Sequence, residues 1–152
     1  MPPLAVAPPA RPAGGVPVLR AMSTPDRPDV PPVSVPPSMA QAMAMIRRIG
    51  GDDLVQRVVG LFHATAEDRL RRLHELTGAG NLVEVGRVAH AMKGSAAQVG
   101  AEALRDASER LEHEGPTMAV EAVAAALGPL AGLVGEARAQ LDACAAAGGE
   151  GA

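Results

Sequence analysis

The chain has 152 residues, of which 47% are hydrophobic and 1% aromatic, and its formal net charge is −3. One hydrophobic core suits this length, and an apolar content of alanine, leucine and valine favours helices over sheets. The acidic balance argues against nucleic acid as a partner, because that interaction needs basic stripes and, for single strands, stacking aromatic residues. Cys144 is the single cysteine, which excludes an intramolecular disulfide and fits a reducing, cytoplasmic location.

Residues 1–37 differ in composition from the rest of the chain. They contain twelve of the 14 prolines, which remove amide donors and favour extended backbone. We therefore predict a disordered, Pro-rich tail that is partly polyproline II. A tether or spacer is favoured over a ligand for proline-binding domains. Prolines also interrupt the apolar residues of this segment, which argues against a secretory signal.

The first two predicted helices span about 39–49 and 52–77. Ser38 is the candidate N-cap of the first helix, and the pair Gly50-Gly51 separates the two. We expect the first helix to pack as a short lid on a bundle. The residues expected on the buried side of the second helix are Leu54, Val58, Phe62, Leu70 and Leu73.

Three further predicted helices span about 81–99, 101–114 and 117–146. Asn81 is the candidate N-cap of the first of these, and Gly100 is its expected left-handed stop. The residues expected to face inward in the last two helices are Leu104, Ala107, Leu111, Val123, Leu127, Leu130, Val134, Ala137 and Leu141.

The predicted fold is all-α, because short connections between long amphipathic helices favour an antiparallel up-down four-helix bundle. The bundle spans residues 38–146, with an additional short N-terminal helix, after the disordered tail and before a frayed terminus at 147–152. Pro129 predicts a kink or break near Gly128. No membrane span is expected, because the longest uncharged run in the folded part, residues 122–135, is too short to cross a bilayer.

A polar stripe on the third predicted helix carries the candidate chemistry. At about 100° per residue, His90, Lys93, Gly94 and Ala97 share one face of that helix. Neutral imidazole is a good nucleophile near neutral pH, and its phosphorylation gives a labile P–N bond that suits transfer. Lys93 either offsets phosphoryl charge or is a solvated surface charge, and we favour the first. Gly94 either gives a partner access to the imidazole or marks close helix packing, and its place on the stripe favours access. The stripe therefore predicts His90 as a phosphoacceptor.

The stripe belongs to a longer ordered pattern. Its residues are His90, Lys93, Gly94, Ser95, Gly100, Ala101, Leu104, Leu111 and Glu112, preceded by Gly50-Gly51-Asp52-Asp53 and Phe62. In this pattern the chain resembles the histidine-containing phosphotransfer (HPt) domains of multistep two-component phosphorelays. The resemblance covers roughly residues 38–146. It departs from the family at Met92, where leucine is usual, and at Ser108, where a cysteine often occurs.

The resemblance implies a phosphocarrier. His90 would accept a phosphoryl group from a receiver-domain aspartate and relay it to another response-regulator receiver. The implied partners are receiver domains and a hybrid sensor histidine kinase, with no cofactor on this chain, Mg²⁺ on the receiver, and a monomeric state. The sequence has no Gly-x-x-x-x-Gly-Lys-Ser/Thr loop, so we expect no ATP-dependent kinase activity of its own.

Arg87, Ala97 and Gln98 are the candidate partner-binding residues beside this stripe. Arg87 lies one turn before His90, where it either contacts an acidic receiver or is simply solvated. Gln98 either hydrogen-bonds the phosphoryl group or a partner loop, or is solvated. The cluster Arg69, Arg71 and Arg72 is interpreted as a solvated basic face.

Two other functions remain open. One is a non-transferring helical interaction module that docks a receiver or kinase without using His90. The other is a bundle enzyme with a metal or cofactor, but His63, His74 and His113 are scattered and no HExxH motif occurs. We interpret these three histidines as surface side chains.

Overall fold

A computed structural model describes the backbone of residues 33–151 and the side chains of residues 33–147. This part of the chain contains four α-helices, one 3₁₀ turn and no strand. The elements are α1 (Pro37–Gly78), α2 (Leu82–Val99), α3 (Glu102–Glu114), the 3₁₀ turn (Gly115–Thr117) and α4 (Val120–Gly151). Each helix packs against the next one, and α1 also packs against α4. The four helices therefore form a bundle.

Residues 33–36 lead into α1 without regular secondary structure. The carbonyl oxygen of Ser34 accepts a hydrogen bond from Nε2 of Gln140 at 2.8 Å, and Val35 packs against the core. These residues belong to the predicted Pro-rich tail. The rest of that tail, residues 1–32, lies outside the described residues.

The first two predicted helices form one element, α1, whose backbone leaves the helical region at Gly51. The φ angle of Gly51 is 75° and its ψ angle is −170°. Glycine tolerates this conformation because it has no Cβ. The predicted break is therefore found, although the short N-terminal helix is the first arm of α1 and not a separate element. Met39 and Met43 of this arm are fully buried in the core.

The predicted N-cap of α1 is wrong. Pro36 occupies the N-cap position and Pro37 the first turn, where a fixed φ suits a helix and no amide donor is needed. Ser38 instead donates a hydrogen bond from Oγ to the carbonyl oxygen of Gly100 at 2.8 Å. This bond ties the beginning of α1 to the end of α2.

The ends of α2 are those that the sequence predicts. The side chain of Asn81 accepts a hydrogen bond from the backbone N–H of Glu84, and Gly100 ends the helix with a φ angle of 76°. The asparagine satisfies one of the free amides of the first turn, and the glycine takes a left-handed conformation at little steric cost.

The buried side of α1 beyond Gly51 is rotated from the predicted one. Val55 and Val59 are buried, whereas Leu54 and Val58 are half-buried. Phe62 and Leu73 are buried as predicted. Leu54 is followed by Val55, and Val58 by Val59, so the composition of the helix does not decide which residue of each pair faces the core. Contact with α2 and α4 decides it.

Helix α4 runs through Pro129 without interruption and ends at Gly151, beyond the predicted end at residue 146. Of the predicted kink or break near Gly128, the break is therefore wrong, and the kink stays a prediction. Leu127 and Leu130 are both buried on either side of the proline, and they hold the two halves in the same core. All the residues predicted to face inward on this helix are buried: Val123, Leu127, Leu130, Val134, Ala137 and Leu141.

One stretch of α4, Val120–Ala147, is long and apolar enough to cross a membrane by length and composition alone. Its large apolar residues, such as Val123 and Leu141, are those that form the bundle core. Much of the rest is alanine and glycine. Burial in the bundle core thus accounts for part of this apolar stretch, and exposed alanines and glycines contribute to its apolar character as well.

Candidate functional site

Helix α2 presents one exposed stripe along its outer side. The exposed residues of the stripe are Val83, Arg87, His90, Gly94, Ala97 and Gln98. The opposite side carries Val88, Met92, Ala96 and Val99, which are buried. This division follows from the helical repeat, because only one side of α2 can contact the core. The predicted site residues therefore share one surface, with Lys93 half-buried at its edge.

The imidazole of His90 is accessible on one side and held on the other. Its side chain is 65% exposed, and Nδ1 lies 2.7 Å from Oε2 of Glu112 on α3. An ionised carboxylate only accepts hydrogen bonds, so Nδ1 of a neutral ring carries the proton and donates it to Glu112. The other ring nitrogen, Nε2, then keeps its lone pair. This is the nitrogen that can act as a nucleophile.

Glu112 also joins His90 to Lys93. Oε1 of Glu112 lies 2.7 Å from Nζ of Lys93, and both side chains are about three-quarters covered, with 22% and 25% exposed. The hydrogen bond from Lys93 lowers the pKa of the Glu112 carboxyl most; partial desolvation opposes this, and the hydrogen bond from His90 lowers it further. The carboxylate is thus ionised at neutral pH and bridges the Lys93 ammonium group and the His90 ring.

The role of Glu112 is missed by reasoning from helix faces. This residue is 22 positions from His90 and lies on another helix. Its signal in the sequence is the pair Leu111-Glu112 in the family pattern, where Leu111 is a core residue. Once Leu111 points inward, Glu112 lies at the edge of α3 next to α2.

We expect the stability that Glu112 provides to disappear in acid. Its pKa is lowered in the folded chain, so the unfolded chain takes up the proton first as the pH falls. The contribution is therefore present above the ordinary pKa of the carboxyl and is lost as the pH drops through the lower folded pKa. Urea unfolding of wild type and Glu112→Gln, from neutral pH down to about pH 3, measures this. If the difference in unfolding free energy between wild type and Glu112→Gln does not change with pH, the ion pairs of Glu112 do not contribute to stability.

Close helix packing does not explain Gly94. A Cβ at this position would meet no atom of a neighbouring element within 4 Å. Glycine in a helix costs about 1 kcal/mol relative to alanine. No contact in the described bundle requires that cost, and the surface beside His90 is open at this position.

The three candidate partner-binding residues lie on the same surface but differ in their contacts. The guanidinium of Arg87 is 74% exposed and pairs with Glu84 at 2.8 Å, so its charge is partly offset. Gln98 lines a groove between α1 and α2. Leu61 on the rim of this groove is 65% exposed. Ala97 is exposed, one turn beyond Gly94.

Arg69 is not a solvated surface residue as predicted. Its Nη1 donates hydrogen bonds to the carbonyl oxygen of Ala91, at 3.3 Å, and to Oγ of Ser95. Both acceptors lie on α2, within five residues of His90. Arg69 thus ties α1 to the helix that carries the imidazole, and Ser95 of the family pattern has a structural partner.

His63 is not an ordinary surface residue either. Its Nε2 lies 2.8 Å from Oδ1 of Asp142, and its side chain is 21% exposed between α1 and α4. Within the described side chains, no third His, Cys, Asp or Glu joins such a pair in a group that could hold a metal ion. The pair links two helices of the bundle.

The family comparison agrees with this arrangement. The sequence model of the Hpt domain matches residues 57–147, more than half of the chain, from the second arm of α1 into α4. No curated protein and no solved structure matches the chain significantly. Hpt domains take part in phosphotransfer in two-component signalling and generally interact with receiver domains and kinases. With a helical bundle, an exposed histidine and a family match over this length, the chain belongs to the Hpt domain family.

Proposed function

We propose that this protein accepts a phosphoryl group on Nε2 of His90 from the phosphoaspartate of a response-regulator receiver domain, and relays it to the aspartate of another receiver. The observation that carries this proposal is the single hydrogen bond from Nδ1 of His90 to Glu112 on a ring that is 65% exposed. That bond places the proton on one nitrogen and leaves the other free in an accessible position.

In the proposed accepting step, the lone pair of Nε2 attacks the phosphorus atom. An N–P bond forms, the bond between phosphorus and the aspartate oxygen breaks, and the aspartate leaves as a carboxylate. The proton on Nδ1 stays in its hydrogen bond with Glu112. The negative charge of this carboxylate stabilises the positive charge that develops on the ring. The donating step is the reverse of this reaction with a second receiver. Mg²⁺ is expected on the receiver and not on this chain.

Lys93 supports the same reaction from the edge of the stripe. Its ammonium group lies 2.7 Å from Oε1 of Glu112, whose other oxygen contacts His90. Lys93 also lies one helical turn from His90 on α2. We propose that its flexible side chain turns from the carboxylate toward a phosphoryl oxygen on Nε2.

The exposed stripe of α2 supports a partner surface around His90. Arg87, Ala97 and Gln98 are the proposed contact residues, and the exposed Leu61 adds an apolar contact at the rim of the neighbouring groove. Such a mixed surface suits a small, transient interface from which a receiver dissociates quickly. We further propose that the protein acts as a cytoplasmic monomer between a hybrid sensor histidine kinase and its receivers.

The test is transfer from a purified receiver domain charged with radioactive acetyl phosphate. The full chain should become labelled, and the label should be labile in acid and stable in base, as expected for a phosphohistidine. Complex formation with the receiver in the absence of any label would instead support the non-transferring interaction module.

Lys93→Ala should slow transfer by roughly tenfold or more and leave the dissociation constant for the receiver nearly unchanged. The substitution removes the cation that compensates the phosphoryl charge but removes little contact area. Lys93→Arg, which keeps the charge, is the control and should retain most of the rate. Single-turnover transfer and a binding titration separate the two effects. A large loss of affinity with an unchanged rate would reverse the assigned role.

Gly94→Leu should weaken docking, because a branched side chain beside the imidazole blocks the approach of the partner. The same change replaces glycine by a better helix former, which should stabilise the isolated bundle by up to about 1 kcal/mol. Binding titration and thermal unfolding measure both effects. A variant that binds and transfers like wild type would show that the open surface at Gly94 has no role in access.

A further inference from the structure

Helices α2 and α3 approach each other closely at Gly86. This glycine is buried, and a Cβ on it would lie 3.1 Å from Cγ of Pro116 and 3.3 Å from the carbonyl oxygen of Glu112. Optimal contacts between carbon atoms are about 3.5–4.0 Å. A methyl group at this position would therefore require Pro116 and the end of α3 to move by a few tenths of an ångström, and a larger side chain would require more.

The close approach lies next to the His90 contact. Gly86 precedes His90 by one helical turn, and Glu112 precedes Pro116 by four residues. The backbone that Gly86 touches is thus the backbone that carries the Glu112 side chain. The carboxylate of that side chain lies 2.7 Å from Nδ1 of His90.

We propose that Gly86 is a positioning residue of the phosphotransfer site. The absence of a Cβ on Gly86 sets the spacing of α2 and α3 at which Glu112 reaches Nδ1 of His90. The inference rests on the proposed function of His90, because the protonation of one ring nitrogen matters for transfer only if the other is the nucleophile. By this inference the site requires not only its side chains but also a position on α2 that has no Cβ.

A larger residue at position 86 acts through Glu112 and not through the imidazole itself. The displaced carboxylate lies farther from Nδ1, the hydrogen bond weakens, and the proton is then shared between the two ring nitrogens. Only the fraction of rings with a free Nε2 can attack phosphorus. The rate of transfer should fall in parallel with that fraction.

The experiment follows the ring proton by long-range ¹H–¹⁵N NMR of the full chain, with His90 assigned from the spectrum of His90→Gln. Wild type should show the proton on Nδ1. Gly86→Ala should shift part of the population toward the other tautomer, and Gly86→Val should shift more of it. Transfer by Gly86→Val should be slower by a factor on the order of ten. This loss is smaller than the roughly 100-fold loss that a 1 Å misplacement of reacting groups can cause.

A second substitution should partly restore the site. Pro116→Ala removes the Cγ and Cδ atoms that lie 3.1 and 3.6 Å from the new Cβ, but the carbonyl oxygen of Glu112 at 3.3 Å remains. The double variant Gly86→Ala with Pro116→Ala should therefore regain part of the wild-type tautomer population. Gly60→Ala on α1 is the matched control, because a Cβ there meets no neighbouring atom within 4 Å. It should change neither the tautomer nor the rate.

Retention of the Nδ1 proton in folded Gly86→Val would overturn the inference, and so would a tautomer shift with an unchanged rate. If Gly86→Val does not fold, Gly86→Ala and its double variant decide the question by the same criteria. Failure of wild type to take label from any receiver would contradict the proposed function instead. The NMR readout does not depend on transfer, so the two failures are distinguishable.

Discussion

His90→Gln should fold like wild type and take no label from a phosphorylated receiver. The glutamine amide has no nucleophilic nitrogen to replace Nε2, although it keeps a donor for Glu112. Because the His90 side chain is 65% exposed, the substitution leaves the core intact, and the free energy of unfolding should change by less than about 0.5 kcal/mol. Labelling gels, circular dichroism and urea unfolding measure these quantities.

His113→Gln is the matched control for this experiment. His113 is an exposed histidine on α3, one residue after Glu112, and it lies outside the stripe of α2. This variant should be labelled at the wild-type rate. Acid-labile label on His90→Gln with an unchanged helical spectrum would show that another residue accepts the phosphoryl group.

Gly100→Ala should destabilise the bundle by about 2–5 kcal/mol, since two penalties add. The φ angle of Gly100 is 76°, in the left-handed region that residues with a Cβ disfavour. A Cβ would also lie 2.5 Å from the carbonyl oxygen of Ser38 and 2.6 Å from the amide nitrogen of Met39. The start of α1 would have to move, which also breaks the hydrogen bond from Ser38 to Gly100. Urea unfolding measures the loss.

Gly80→Ala separates the two penalties. Gly80 has a nearly identical φ angle of 74°, but a Cβ there would meet no neighbouring atom within 4 Å. This variant should lose only the backbone contribution of about 1–2 kcal/mol. Equal losses at Gly80 and Gly100 would mean that α1 can move away from Gly100 without cost.

The ends of α2, the break at Gly51 and the exposure of His90 follow from local sequence. Asn81, Gly51 and Gly100 lie where the chain changes conformation, because capping and left-handed backbone depend on the residue itself and its near neighbours. The repeat of apolar residues along α2 likewise places His90 and Gly94 outside the core. Those features need no information about the other helices.

The partners of the site depend on how the helices pack. Glu112 reaches His90 and Lys93 from another helix, and Arg69 reaches Ser95 from a third. Which side chains meet in this way depends on the rotation and spacing of whole helices, and no single helix contains that information.

The same physical reason applies to the core side of α1. Val55 and not Leu54 is buried there, because adjacent apolar residues are equivalent until a neighbouring helix covers one of them. The sequence by itself thus determined a helical chain with an exposed candidate phosphoacceptor. Only the tertiary structure decided which carboxylate contacts that histidine and how closely α2 and α3 approach each other, since both depend on contacts between residues far apart in the chain.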